Sequence, residues 1–390
     1  MNKIIILSVI LLTLSIHSCQ YEVKDMNETN AEKIPVDISN ISLNNLNDIF
    51  EKIELIPLET KDSESLIGRI DQFIYVKDRY FILRDVHQRI FVFDEKGVFI
   101  SNSSKMIGTG PGEYTIALYT MYNPYSEEID ILTPFNQIFT YDTTFTYTGN
   151  IKLHIDHPGN GRYGMIHFIF PINEAEYICV PPTIFEEYNT IYFYNWKEDK
   201  IKKKIVFDDI YGGITQTVNP VRYTDSMYYF NPALTTYTGY FIDIEQYAIQ
   251  PTFNLDFGNK KIHKKSLKKF KEAEEIRDYL VALKKHPIPV INLFNENYLV
   301  CRILDLKEVE LYTFFIDRKT KQKYLLKELT KDAYKIPEFL TIEENILFAI
   351  IHPFQLAEYI DYHLLSEEAN EALLKLKEDD NPVIAKYYLK

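Results

Sequence analysis

After Leu14 the chain has no apolar run approaching the roughly 18 residues of a membrane-spanning helix, so its body is expected to be soluble. Glycine is scarce, with thirteen in 390 residues, and tryptophan occurs once. No glycine cluster has phosphate-loop spacing ahead of Lys-Ser/Thr, and no D-x-[DN]-x-[DN]-G calcium loop occurs. A G-x-S-x-G nucleophile elbow is also missing. These gaps remove the commonest nucleotide, calcium and ester-hydrolysis signatures. Lys and Arg are outnumbered by Asp and Glu, 43 to 56, for a formal charge of −13. Such a surface repels phosphate backbones, so nucleic acid is not an expected partner.

Cysteine numbers three. Cys19 lies near the N-terminus, while Cys179 and Cys301 fall at different positions of segments that are not neighbours. A disulfide needs Cα atoms within about 7 Å, so Cys179 and Cys301 are expected as unpaired, buried thiols.

What is present begins at the N-terminus. Lys3 precedes an apolar run from Ile4 to Leu14, too short to span a bilayer and shaped like a secretory signal. Ser15-Ile16-His17-Ser18-Cys19 follows and resembles the lipobox of bacterial lipoproteins, with His17 in place of the usual small or apolar residue. The resemblance implies acylation of Cys19 and stable anchoring by more than one acyl chain. Gln20 after the cysteine, where Asp is absent, implies by the same resemblance the outer membrane of the cell envelope, with the leaflet left open. Residues 1–18 are therefore expected as a signal peptide, and 19–47 as a lipidated cysteine with a flexible polar tether.

Thirty Tyr and twenty-five Phe suit a chain of half-buried strands. Core filling is the expectation for most of them. Six short apolar segments recur: DRYFIL from Asp78, EEIDIL from Glu127, AEYICV from Ala175, DSMYYF from Asp225, ENYLVC from Glu296 and ENILFA from Glu344. Their third residues, Tyr80, Ile129, Tyr177, Met227, Tyr298 and Ile346, are separated by 49, 48, 50, 71 and 48 positions. A strand-built period near 50 is the spacing of propeller blades. Each segment leads through a loop to a second apolar strand ending in a polar residue, as in Ile90–Asp94 and Phe314–Asp317, then to a hairpin turn such as Asp94-Glu95-Lys96-Gly97 and a returning strand. With an inner strand ahead of the segment, for example Ile70–Val76, each unit has four antiparallel strands. The expected fold is all-β: a six-bladed β-propeller over residues 48–390.

Two stretches have no place in the repeat, Ile53–Leu58 and Asn381–Tyr388. Both are assigned to blade 6, the C-terminal strand beside the inner pair and the N-terminal strand outermost, which closes the ring. A helix, Ser366–Leu376, is expected before the closing strand. The long interval holds an insertion between blades 4 and 5 at about 260–285, where Leu267, Phe270, Ala273, Ile276, Leu280 and Leu283 recur at helical spacing. Its lysine-rich first half is expected as a solvated face.

Gly108-Thr109-Gly110-Pro111-Gly112-Glu113-Tyr114 resembles the GPGEY signature of the six-bladed β-propeller lipoproteins of glycan-degrading gut anaerobes, which are related to NHL and TolB propellers. The stretches Ile56–Thr60, Leu66-Ile67-Gly68 and Asp379–Val383 are similar to the same family. The resemblance covers roughly residues 50–390 and implies an envelope propeller; it implies no activity. The loop's glycines and Pro111 suit a tight excursion between blades, with Glu113 expected to cap backbone amides.

Chemistry-bearing clusters are few. His154, Asp156 and His157, with His167, are the best metal candidates, but their spacing matches no metal-hydrolase pattern and a surface loop is expected. Glu127-Glu128 and Glu186-Glu187 sit at turns, where solvation explains them. No cofactor is implied. Propeller topology points instead to one face, carrying the loops between second and third strands and between blades. The candidate ligand face comprises Arg84, Asp85, His87, Gln88 and Arg89 in blade 1, Asn136 in blade 2, Arg162 and Tyr163 ahead of blade 3, Arg222 and Tyr237 in blade 4, Arg302 in blade 5 and His352 in blade 6. Arg beside aromatic and amide groups suits a carboxylate or a sugar. The expected function is a ligand-binding or protein-interaction scaffold at the envelope, serving nutrient uptake, with a glycan, peptide or outer-membrane protein as partner. A propeller hydrolase or lyase acting on glycans is the alternative.

Overall fold

The polar residue opening a repeated segment is where the chain reverses. Asp78, Glu127, Asp225 and Glu344 take positive φ (56°, 59°, 50° and 53°), the left-handed conformation that tight hairpins require, and each joins an inner strand to the next. The structure, a computed structural model, describes residues 23–24, 30–38, 44–155, 165–181, 190–207, 221–231, 237–262, 275, 278–279, 287–305, 310–327 and 335–390.

Three strands precede the first full blade: β1 (Val23–Lys24), β2 (Glu32–Pro35) and β3 (Phe50–Pro57). Blade 1 is β4 (Ile70–Val76), β5 (Tyr80–Asp85), β6 (Ile90–Asp94) and β7 (Phe99–Asn102). Blade 2 is β8 (Tyr119–Asn123), β9 (Glu128–Thr133), β10 (Gln137–Tyr141) and β11 (Tyr147–Lys152). Blade 3 is β12 (Phe168–Asn173), β13 (Glu176–Val180), β14 (Thr190–Asn195) and β15 (Lys200–Phe207). Blade 4 is β16 (Val221–Thr224), β17 (Met227–Phe230), β18 (Thr238–Asp243) and β19 (Ala248–Asp256). Blade 5 is β20 (Pro287–Phe294), β21 (Tyr298–Asp305), β22 (Glu310–Asp317) and β23 (Lys323–Lys327). Blade 6 runs β24 (Phe339–Glu343), β25 (Ile346–Ile351), β26 (Val383–Leu389) and, outermost, β3. The fold is the expected six-bladed β-propeller of four-stranded antiparallel blades, closed by both ends of the chain. Register in the closure pairs Ile384 with Ile56 and Lys386 with Glu54.

Apolar side chains fill the seams between blades. Phe81, Leu83, Phe348 and Ile384 join blade 1 to blade 6, with the Tyr75 and Phe348 rings 4.4 Å apart. Phe50, Phe315, Phe339 and Tyr387 form a ring cluster between blades 5 and 6. Burying one such side chain contributes on the order of 1.5–3 kcal/mol. Cys179 and Cys301 are fully buried, unpaired thiols, as expected.

The stretch read as a tether differs from expectation over its described residues. β2 pairs in parallel with β19 and β1 with β15, so two blades gain a fifth strand. Ile34 and Val36 are buried, being 1 % and 4 % exposed, and Glu32 ties β2 to Arg318 and Lys321 of blade 5. Alternating apolar residues at 34 and 36 make this a strand that covers an edge. Further on, Asn44 donates its amide to the Leu325 carbonyl at 2.9 Å and accepts from the Leu325 amide through Oδ1 at 3.0 Å. The N-terminal segment is thus a belt along the outer rims of blades 3, 4 and 5.

The helix before the closing strand spans Glu367–Lys375, capped by the Ser366 hydroxyl, which accepts from the Ala369 amide at 3.1 Å. Most of the expected helical insertion lies outside the described residues; residues 275 and 278–279 are helical. No helix among the described residues is long and apolar enough to cross a membrane.

Candidate functional site

Inner strands begin at one end of the ring, here the mouth, together with the loops between second and third strands and between blades. The opposite end carries the tight hairpins. Most mouth candidates in blade 1 have polar atoms already engaged by the scaffold. Asp85, fully buried, accepts from the amides of His87 and Arg89 at 2.9 and 3.1 Å and from Nε and Nη2 of Arg89 at 2.9 and 2.6 Å. Arg84 donates to Asp71 at 2.8 and 3.3 Å and to the Ala117 carbonyl at 2.5 Å. Gln88 (φ 68°) accepts from the Ala117 amide at 3.0 Å through Oε1.

Elsewhere the pattern repeats. Asn136 (φ 54°) accepts from the Ile166 amide at 2.7 Å. Tyr237 is buried, donates to the Pro287 carbonyl at 3.1 Å and accepts from the Ile262 amide at 3.1 Å. Arg302 lies in the interior of β21, beside Ile291 of β20 and Thr313 of β22. Exposed His87 remains at the mouth, and the His352 ring stacks on Phe354 at 5.5 Å. Arg162, Tyr163 and Cys19 lie outside the described residues, as do Asp156 and His157. His154 is paired with Asp199 at 2.9 Å, and burial pushes the half-buried His167 imidazole below its usual pKa. Among the described residues no group of three metal-ligating side chains converges.

Arg222 stands apart. It lies on β16, the inner strand of blade 4, where Val221 and Tyr223 point into the core shared with blade 3. Alternation turns Arg222 and Thr224 the other way, and Thr224 donates its hydroxyl to the Ile342 carbonyl of blade 6. Arg222 interacts electrostatically with Tyr119 of blade 2 and Glu338 at the start of blade 6. Neither blade is adjacent to blade 4, so a side chain reaching both sits at the ring axis. Partial burial pushes its guanidinium below the usual pKa, and no ion pair to it is found among the described residues. Tyr119, with Phe168 and Phe170 at 5.2 and 5.6 Å, forms an aromatic wall on the blade 2 and 3 side.

The hairpin end of the axis is crossed by contacts between non-adjacent blades. The Asp225 amide donates to Glu343 Oε2 at 3.1 Å and the Glu344 amide to Asp225 Oδ1 at 2.6 Å, and the Tyr125 and Tyr228 hydroxyls of blades 2 and 4 are near enough to interact electrostatically. Burial raises the Glu343 carboxyl pKa there. The hairpin end of the axis is therefore bridged below Arg222.

Two mouth residues escaped sequence reasoning. Phe135 and Phe354, in turns of blades 2 and 6, are 77 % and 63 % exposed. Each follows a proline within a polar turn, Pro134 and Pro353. An aromatic residue directly after a turn proline has no interior to enter, and that signal was available.

The GPGEY loop is internal scaffolding. Glu113 accepts from the Gly110 amide at 2.8 Å, and the buried Tyr114 hydroxyl donates to the Gln88 carbonyl at 2.8 Å while bonding Ser103 at 2.5 Å. Gly112 has φ 75°, and a Cβ there would stand 2.8 Å from the Tyr147 ring. Gly112→Ala is expected to lower stability by about 2–3 kcal/mol from the left-handed backbone and the displaced ring, read as a lower urea midpoint; a change under about 0.5 kcal/mol would contradict this packing.

The model of a domain of unknown function, DUF4934, matches residues 31–388, and the chain belongs to that family. Among solved structures it is similar to a protein from Bacteroides fragilis NCTC 9343 presumed to be exported, with 15 % identity and a TM-score of 0.66 over 92 % of this chain and 99 % of that one. The WD40 propeller of Doa1 matches with 10 % identity and a TM-score of 0.32 over 55 % of this chain and 67 % of that one. Raptor from Chaetomium thermophilum matches with 10 % identity and a TM-score of 0.40 over 82 % and 23 %. No curated protein matches the chain.

Proposed function

We propose that this propeller is an exported binding scaffold of the cell envelope that receives a ligand or partner at its mouth. The observation carrying this reading is a ring axis bridged at its hairpin end, with Arg222 above the bridge on the inner strand of blade 4. Exposed Phe135 and Phe354 on the same side add the amphipathic contact surface that binding faces use. The lipobox-like Ser15–Cys19 and the presumed export of the B. fragilis protein support an envelope address, with Cys19 as an outer-membrane anchor and nutrient uptake as the role.

The test is a thermal-shift panel of oligosaccharides, peptidoglycan fragments, peptides and divalent cations on residues 20–390. A ligand binding only the folded state at about 100 times its Kd stabilises it by about 2.7 kcal/mol, so one class is expected to raise the midpoint. A flat panel with a cooperative melt would overturn small-ligand binding in favour of a protein partner. The anchor is checked separately: Cys19→Ala in the full chain is expected to move the protein from the membrane to the soluble fraction, and unchanged membrane association would reject it.

A further inference from the structure

We infer that the outer edge of blade 3 is a lipid-facing surface that rests on the anionic headgroups of the membrane holding the chain; the inference rests on the Cys19 anchor proposed above. Two observations meet at this edge. The first is charge. β15, the fourth strand of that blade, carries Lys200, Lys202, Lys203 and Lys204, and Lys197 follows Trp196 in the turn before it. Over residues 196–207 five lysines stand against two acids, Glu198 and Asp199, in a chain whose formal charge is −13. Asp199 is engaged by His154 and the Tyr194 hydroxyl, and Glu198 by Lys202 at 3.1 Å, so an excess of cations is left. The other fourth strands differ: β7 and β19 have no lysine, β11 has one, β3 has one beside two glutamates, and the two of β23 bond to the Pro35 carbonyl and to Glu310. The second observation is where the N-terminus meets the ring. β1 pairs in parallel with the end of β15, Val23 beside Val206 and Lys24 beside Phe207. Cys19 stands four residues before Val23, a reach of at most about 14 Å for an extended chain. An acylated Cys19 therefore brings the edge of blade 3 to the bilayer surface.

The side chains suit that neighbour. An ammonium is a compact charge on a flexible apolar stem, able to reach headgroup phosphates while the stem lies along the strand. Lys197 sits over the Trp196 ring at 5.5 Å and Lys204 over the Tyr192 ring at 5.7 Å. Trp196, the one tryptophan of the chain, is half-buried against the core shared by blades 2, 3 and 4, and indoles are favoured at headgroup depth. Each lysine close to an anionic leaflet strengthens partitioning by roughly fivefold, an attraction that salt screens. β15 runs along the rim from the hairpin end toward the mouth. Docking by this strand holds the ring edge-on, with the mouth opening along the membrane.

The test sediments residues 20–390, which keep every described residue, with vesicles of phosphatidylcholine alone or of phosphatidylcholine and phosphatidylglycerol in equal parts. Binding is expected to the anionic vesicles only, to weaken in high salt, and to shield Trp196, the sole indole, from acrylamide quenching. Lys197→Gln, Lys200→Gln and Lys202→Gln together are expected to weaken it by roughly tenfold or more, and the same three changed to Arg to retain it. Lys61→Gln, Lys96→Gln and Lys105→Gln around blade 1, which remove the same charge from equally exposed positions, are expected to leave it unchanged. No binding to anionic vesicles, equal binding to both kinds, equal loss in the two Gln sets, loss in the Arg set, or an unshielded Trp196 in the bound protein would overturn the proposal. Binding to soluble polygalacturonate with none to vesicles would make the edge a glycan site and overturn it too. The quenching measurement needs no variant, so it decides the matter even if a Gln set folds poorly. Acyl insertion survives a high-salt wash that releases protein held by charge alone, which separates the two readings. Full-length protein retained through the wash, with vesicle binding absent, would leave the anchor without the face. Cys19→Ala protein retained through it would sink the anchor while any vesicle binding still stood.

Discussion

Asn381→Ala is expected to lower unfolding stability by about 3–5 kcal/mol. Asn381 is 1 % exposed and lies where the start and end of the chain meet. Its side chain donates to the Glu59 and Ser65 carbonyls, both at 2.8 Å, and accepts from the Ile67 amide at 2.9 Å. Its own amide donates to the Thr60 hydroxyl at 2.7 Å. Truncation leaves three backbone groups unpaired in a buried site, each costing on the order of 1–3 kcal/mol. Asn381→Asp keeps the acceptor but sets a carboxylate against two carbonyls, so it is expected to be no better. Urea denaturation with an unchanged slope would measure the loss, and a cost below about 1 kcal/mol would show that the clasp does not secure the ring.

The second large effect is a pH dependence centred on Asp130. This carboxyl is fully buried between blades 2 and 3, bonded through Oδ2 to the Tyr177 hydroxyl at 2.8 Å and Asn123 Nδ2 at 3.1 Å, while Oδ1 has no partner. Burial is the main cause that pushes its pKa up to about 7, with Glu128 adding to the rise and the Tyr177 and Asn123 bonds opposing it. The folded state therefore holds a proton that the unfolded chain releases near its ordinary carboxylate pKa. Stability from this group is complete below about pH 4, falls as pH rises toward 7 by up to about 1.4 kcal/mol per unit, and is flat above. Asp130→Asn mimics the protonated acid, so it is expected to remove this slope and to exceed wild-type stability above pH 7. Parallel stability curves for the two proteins between pH 4 and 8 would refute the assignment.

Architecture was legible because its determinants are local and repeated. The turn residue, the apolar alternation and the interval near 50 recur, so blade count, strand order and ring closure could be counted along the chain. The family-like motifs were legible too, and the structure explains their kind of information. Asn381 meets Glu59, Ser65 and Ile67, while Glu113 and Tyr114 bind their own neighbourhood. Such motifs record how the ring closes and how one blade leads to the next, which is why they point to a fold more readily than to a ligand.

Which loops follow the second strands was readable, as for Asp85–Arg89 and Asn136, whereas Arg302 lies inside β21 and the employment of each side chain was not readable. Arg89 and Asp85 pair four residues apart within one loop, a local pattern that sequence alone could have marked as scaffold. Arg84 reaches Asp71 and the Ala117 carbonyl across the inner edge, which only the folded ring brings together. Arg222 needed the most: its place toward the axis depends on blades 2, 4 and 6 at once. β2 was missed because the alternation of Ile34, Val36 and Ile38 is short and interrupted by Pro35 in a polar stretch, too little to outweigh its composition.

The belt on the outer rims decides how the molecule bears load. A pull on the N-terminus meets the two paired residues of β1 first, then the four of β2, then Asn44 on blade 5. Only after these does it reach β3, which is paired along β26 from Pro57 to Phe50. Short pairings at a sheet edge open at low free energy, so they act as breakaway stitches. Tension is taken up as extra chain length while the six blades, and the geometry around Arg222, keep their shape.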